Sequence, residues 1–131
     1  MKTYYKAVSI DHGDGFCHSV VGYGDMNLIY EIGKWTEPKI KGTSIMVFDS
    51  LDHAKKCIIK HSWWGCPIFT CEVQNPSRKG IFFYRTVGKL IEAAKMKRAR
   101  KKYTHFMTKE DVPPTGTVFC SAVKLIEKVS G

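Results

Sequence analysis

Six of the eight residues from Lys95 to Lys102 carry a positive charge: Lys95, Lys97, Arg98, Arg100, Lys101 and Lys102. Arginine grips phosphate oxygens in a two-pronged fork and lysine supplies a point charge, so the run has the chemistry to neutralise phosphates. Arg78, Lys79, Arg85 and Lys89 extend the field. From residue 78 to residue 102 ten basic side chains stand against the single acid Glu92, a surplus of nine that equals the +9 of the whole 131-residue chain. Elsewhere eleven basic and eleven acidic side chains cancel. Charge loaded into one stretch makes a local field that attracts phosphate-bearing partners. Aromatic residues beside such a run can stack on bases, and Tyr84, Tyr103 and Trp64 are the stacking candidates. Trp63 and Trp64 are adjacent, so on an extended backbone they point opposite ways and one of them is free to face solvent.

Two further groupings hold reactive side chains. Cys57, His61, Cys66 and Cys71 place four metal-capable groups in 15 residues, with Cys57 and His61 one helical turn apart. Structural zinc sites use tighter cysteine pairs on a knuckle, and Cys71 falls on the apolar side of a strand. The segment DHGDGFCH gathers Asp11, His12, Asp14, Cys17 and His18. Its spacing fits neither a calcium loop nor a zinc-protease helix, and its composition is that of a polar turn. The chain contains no phosphate-binding glycine loop, dinucleotide fingerprint, nucleophile elbow or kinase signature. No catalytic residue, metal ligand or cofactor is therefore assigned, and binding ranks ahead of catalysis.

The elements that must position these groups read as follows. TYYKAVSI and FCHSVVG are β-branched and aromatic runs on either side of DHGDG, the pattern of a hairpin. NLIYEI is a further short strand, and GKWTEPKIKG interrupts regular structure with Pro38 and flanking glycines. SIMVF is a compact strand. Asp49 or Ser50 then caps a helix whose stripe is Leu51, Ala54 and Ile58. PIFTCEV alternates Ile68, Thr70 and Glu72 against Phe69, Cys71 and Val73, the mark of a strand with one wet face. NPSRKG is a turn leading to the strand GIFFYR, and the closing TVFCSAVKLIEKV is β-rich. The whole reads as one α+β domain over residues 1–131, a mainly antiparallel sheet of about six or seven strands with two helices.

The second of those helices is expected to be long and basic, covering 86–103. Its first half has a docking stripe in Val87, Leu90, Ile91 and Ala94, whereas Met96, Ala99 and Tyr103 fall on nearly the opposite side. In helical form the segment brings together five like-charge pairs at spacing three or four. At about 0.2–0.5 kcal/mol each these cost about 1–2.5 kcal/mol, a repulsion that a bound polyanion would remove.

Composition sets the outer limits. A chain of this length can bury a core without staples. Its five cysteines, Cys17, Cys57, Cys66, Cys71 and Cys120, are odd in number and mostly sit in apolar runs, which predicts reduced thiols and a cytoplasmic location. No apolar run approaches the roughly 20 residues of a membrane span, and the start MKTYYKAVSI has no signal-peptide core.

YKAV, YEIGKWTEP, SIMVFDSLDHAKK, TCEV and GTVFCSAVKLIEKV together resemble a small uncharacterised domain found in phage and bacterial proteins. That resemblance implies a compact β-rich fold with a helix after VFDSL, carries no catalytic residues, and leaves the basic stretch as an elaboration. It also suggests an accessory protein that sequesters a host nucleic acid or nucleotide signal. GTSIMVFDSLDHAKK is in addition similar to a passage of ADP-ribosyltransferase-like folds. Such enzymes need a basic residue on the first strand and a late glutamate, for which this chain offers Lys6 with Glu72 or Glu127. The leading expectation is a binding module for a nucleic acid or nucleotide, with contacts at the six cations of 95–102, Arg85 and Lys89. The alternatives are a module that meets an acidic protein surface or a second copy of itself, and an ADP-ribosyltransferase-like enzyme.

Overall fold

The β-branched runs near the start and end of the chain are long enough to pair with several partners, and they do. The computed structural model describes residues 2–10, 15–19, 28–39, 43–79 and 113–130. In chain order these form β1 (Tyr4–Ile10), β2 (Cys17–Ser19), β3 (Ile29–Tyr30), β4 (Trp35–Thr36), β5 (Ile45–Phe48), α1 (Leu51–Lys60), β6 (Ile68–Gln74), β7 (Thr117–Cys120) and β8 (Ala122–Ser130). All the pairings are antiparallel. The expectation of six or seven strands and two helices needs correction, because the described residues hold eight strands and one helix. The segment 86–103, read from sequence as a second, long helix, lies outside them.

The extra strands have a physical cause. β3 lies within NLIYEI as expected, whereas β4 is two residues, too short to show a period of two, and its strand partner sets it; the strand expected over GIFFYR, 80–85, lies outside the described residues. GKWTEPKIKG, read as a break, contains β4 because Trp35 and Thr36 lie opposite Lys124 and Val123 of β8. The closing run divides at Ser121, where the partner changes. β7 pairs with β5, whereas β8 pairs with β6 along Ile68 to Gln74. The chain after β6 bends at the same level: Asn75 adopts a left-handed φ of 51° and its side-chain amide donates to Ser121 Oγ at 2.9 Å.

Tyr5 is bonded on both edges of β1, opposite Thr70 of β6 and opposite Phe48 of β5. The sheet consequently returns on itself: β1 pairs with β6 and β6 with β8, the chain bends at Ser121 between β8 and β7, and β7 pairs with β5, which pairs with β1. Inside it pack Val8, Ile45, Val47, Phe69, Cys71, Val118, Cys120, Val123 and Leu125, joined by Leu28 and Tyr30. These are every second residue of each strand, as the pleat requires. Phe69, Cys71 and Val73 face this core, as the alternation of PIFTCEV implies.

The opposite face of β1 and β6 receives α1. Ala7, Phe48, Ala54, Cys57 and Ile68 form this second cluster, with Tyr5, Leu51, Ile58 and Trp63 packed on it. Ser50 is the helix cap: its extended backbone lets the hydroxyl accept from the His53 N–H at 3.1 Å.

Candidate functional site

The described part of the basic stretch sits at the N-terminal end of α1. Asp49 is the last residue before the helix cap, and four residues on His53 lies directly above it. The His53 Nδ1 and Asp49 Oδ1 are 2.6 Å apart. The second carboxylate oxygen accepts from Arg78 Nη2 at 2.8 Å, and Arg78 Nη1 donates to the Thr117 carbonyl at 3.4 Å. Asp49 also donates its backbone N–H to the Gly116 carbonyl at 2.9 Å. Three separated pieces of chain thus converge on one carboxylate.

The hydrogen bond from His53 holds the Asp49 carboxyl below its ordinary value, and Arg78 adds to this against the opposing effect of desolvation. The Asp49 side chain is 18% exposed and that of His53 31%. In the neutral tautomer in which Asp49 accepts from Nδ1–H, the lone pair lies on the other ring nitrogen, Nε2, the arrangement a general base uses. Gly116 makes the packing possible. Its φ is +84°, and a Cβ there would stand 2.3 Å from His53 Nδ1 and 2.7 Å from Asp49 Oδ1.

A backbone bridge lies beside this clasp. Ser77 and Phe119 exchange backbone hydrogen bonds at 2.7 Å in both directions. Arg78 is already matched by Asp49. Lys79 is exposed, and its backbone N–H is held by Ser77 Oγ at 3.1 Å. Of the other residues singled out from sequence, Lys95, Lys97, Arg98, Arg100, Lys101, Lys102, Arg85, Lys89, Tyr84 and Tyr103 lie outside the described residues.

Trp64 is described and is 70% exposed. Its neighbour Trp63 packs against the α1 cluster and stacks on His61, with ring centroids 4.9 Å apart. One tryptophan turns in and the other out.

Two of the remaining groupings are dispersed by the fold, and Asp11, His12 and Asp14 of the third lie outside the described residues. Cys57 belongs to the α1 cluster and Cys71 to the inner core, so the four metal-capable side chains from Cys57 to Cys71 do not converge. Among the described residues no group of three His, Cys, Asp or Glu side chains is placed to hold a metal ion. Lys6 and Glu72 are also kept apart. Lys6 lies on the inner face of β1, donating to the Met46 carbonyl at 2.8 Å and standing 5.6 Å from the Tyr30 ring centroid. Glu72 alternates with Cys71 and Val73 to the outer face, where it pairs with Lys124 at 3.1 Å, and Glu127 is exposed.

Sequence reasoning passed over His53, Arg78 as a partner of Asp49, and Gly116. The four-residue spacing of Asp49 and His53 across a helix start was the one local signal. No family model matches the chain, and comparison with curated proteins and with solved structures finds no match.

Proposed function

We propose that this protein binds a phosphate-bearing ligand, a nucleic acid or a nucleotide, through the basic segment that follows Lys79. The observation that carries the reading is the concentration of charge: the whole +9 surplus falls between residues 78 and 102. Like charges packed this densely repel one another, and a polyanion removes the repulsion while releasing its own counterions. The described structure supplies a fitting support. The clasp of Asp49, His53, Arg78 and Gly116, together with the bridge from Ser77 to Phe119, ties both flanks of the segment to a closed antiparallel sheet. Arg78 itself is matched by Asp49. Lys95, Lys97, Arg98, Arg100, Lys101 and Lys102 are the principal contacts, with Arg85 and Lys89 beside them and Tyr84 and Tyr103 as stacking surfaces. An acidic protein surface is the competing partner, since it would be drawn by the same field.

The test is to determine what accompanies the purified protein, by absorbance ratio and mass spectrometry, and to repeat it with all six cations of 95–102 changed to Gln. Loss of bound nucleic acid or nucleotide supports the reading; undiminished retention removes the segment from it. If about five phosphates are met, the logarithm of affinity for duplex DNA falls with that of salt at a slope near −4.5.

A second reading rests on the 2.6 Å contact between His53 and Asp49. A histidine oriented by a carboxylate is equipped for proton transfer, so the ligand could also be processed. His53→Gln would then abolish turnover and leave binding intact.

A further inference from the structure

The outer face of α1 carries a second concentration of positive charge, well separated in sequence from the first. Asp52, Lys55, Lys56, Ile59 and Lys60 are its exposed residues, spaced as one stripe along the helix. Lys56 is matched by Asp52 at 3.0 Å, which leaves Lys55 and Lys60 as net positive charge. Ile59 is 59% exposed, and Trp64 follows four residues beyond Lys60, past the end of the helix.

Local geometry puts that tryptophan outside. α1 ends with Ser62 in a left-handed conformation, φ 57°, and the Trp63 N–H reaches back to the Ile58 carbonyl at 2.9 Å. This is the return geometry of a helix terminus, and it directs Trp63 onto the hydrophobic cluster. Trp64 follows it out into solvent, ahead of Gly65 at φ +83°. At 70% Trp64 is the most exposed large hydrophobic side chain among the described residues.

We infer that this face is a contact surface for single-stranded nucleic acid, in which Trp64 stacks on a base while Lys55 and Lys60 meet the neighbouring phosphates. The inference rests on the phosphate-ligand reading above and narrows it to strands whose bases are unpaired. An indole ring stacks on any unpaired base, and flanking cations track the backbone. A duplex hides its base faces and gives Trp64 nothing to stack on. A lipid surface is the weaker match. A helix that lies in a membrane interface buries its apolar stripe there, whereas the stripe of α1 already faces the sheet, and of the helix and the turn after it Ile59 and Trp64 are the exposed large hydrophobics.

The test compares a single-stranded oligothymidine with a blunt duplex of equal length, each labelled and titrated with the full chain by fluorescence anisotropy. Trp64→Ala is expected to weaken single-strand binding about 5-fold to 100-fold while leaving duplex binding within about two-fold. Trp64→Phe should recover part of the loss. Lys55→Gln with Lys60→Gln should make the single-strand salt slope shallower by about 1.4. Unchanged single-strand affinity in Trp64→Ala, or equal loss on both probes, overturns the assignment while leaving the phosphate reading in place. So does a Trp64→Ala defect confined to vesicles of phosphatidylcholine and phosphatidylserine. If the wild-type protein binds neither oligonucleotide, the nucleic-acid form of the phosphate reading fails, and this surface with it.

Discussion

Asp49 serves three partners at once, and its substitution separates their effects. Its carboxyl is depressed by the hydrogen bond from His53 and by Arg78. A carboxyl held low in the folded chain contributes stability that is complete above its unfolded value and is lost as pH falls through the folded one. Asp49→Asn should therefore lower stability at neutral pH by about 1–2 kcal/mol and flatten the loss of stability on acidification, both read from urea midpoints measured across the acid range. An unchanged acid profile would show that the clasp is not formed in solution. Gly116 gives an independent check on the same contact. Any side chain there must adopt a left-handed φ, at about 1–2 kcal/mol, and must push into His53 and Asp49, at about 1–3 kcal/mol for an overpacked site. Gly116→Ala should cost about 2–5 kcal/mol by denaturant unfolding, and a neutral result would contradict the close packing of the 113–116 loop against α1.

At the scale of elements, α1 depends on its cap. Ser50→Ala removes the acceptor of the His53 N–H and should lower stability by about 1 kcal/mol, with helical signal and thermal midpoint falling together; a change confined to noise would mean that the Asp49 clasp alone holds the helix start. This element was legible in the sequence, because a strand, a capping residue and an apolar stripe stand in order over SIMVFDSLDHAKK. The seven residues of β6 were legible for the same reason, their alternation matching the two faces of the sheet. β4 was not. Trp35 and Thr36 are strand because β8 lies beside them, a relation between residues about 90 apart that no local pattern encodes. The division of the last strand at Ser121 belongs to the same class, since it reflects a change of partner and not a change of composition. The site was less legible still. Asp49 and His53 could be paired from spacing, but Arg78 and Gly116 join them only through the closure of the sheet.

At the scale of the whole molecule, the five thiols report whether the closed sheet and the helix packed on it unfold together. All five are free. Burial pushes the thiols of Cys71 and Cys120, inside the closed sheet, up to about 12, and that of Cys57, beneath α1, up to about 11. Cys17 and Cys66 are half-buried, and desolvation raises them too. Because the thiolate is the reactive form, a low-exposure thiol of high pKa reacts only when the structure around it opens. A disulfide reagent at mildly alkaline pH should thus modify Cys17 and Cys66 first, and mass mapping should then find Cys57, Cys71 and Cys120 modified at one shared, slow rate. One rate for the three would follow from a single cooperative unit, in which the α1 cluster and the inner core are exposed in the same event. Should Cys57 react well ahead of Cys71 and Cys120, α1 detaches while the sheet stays closed. The clasp at Asp49 would then be a local hinge rather than a seam of the fold, and Ser50→Ala should widen the gap between the two rates.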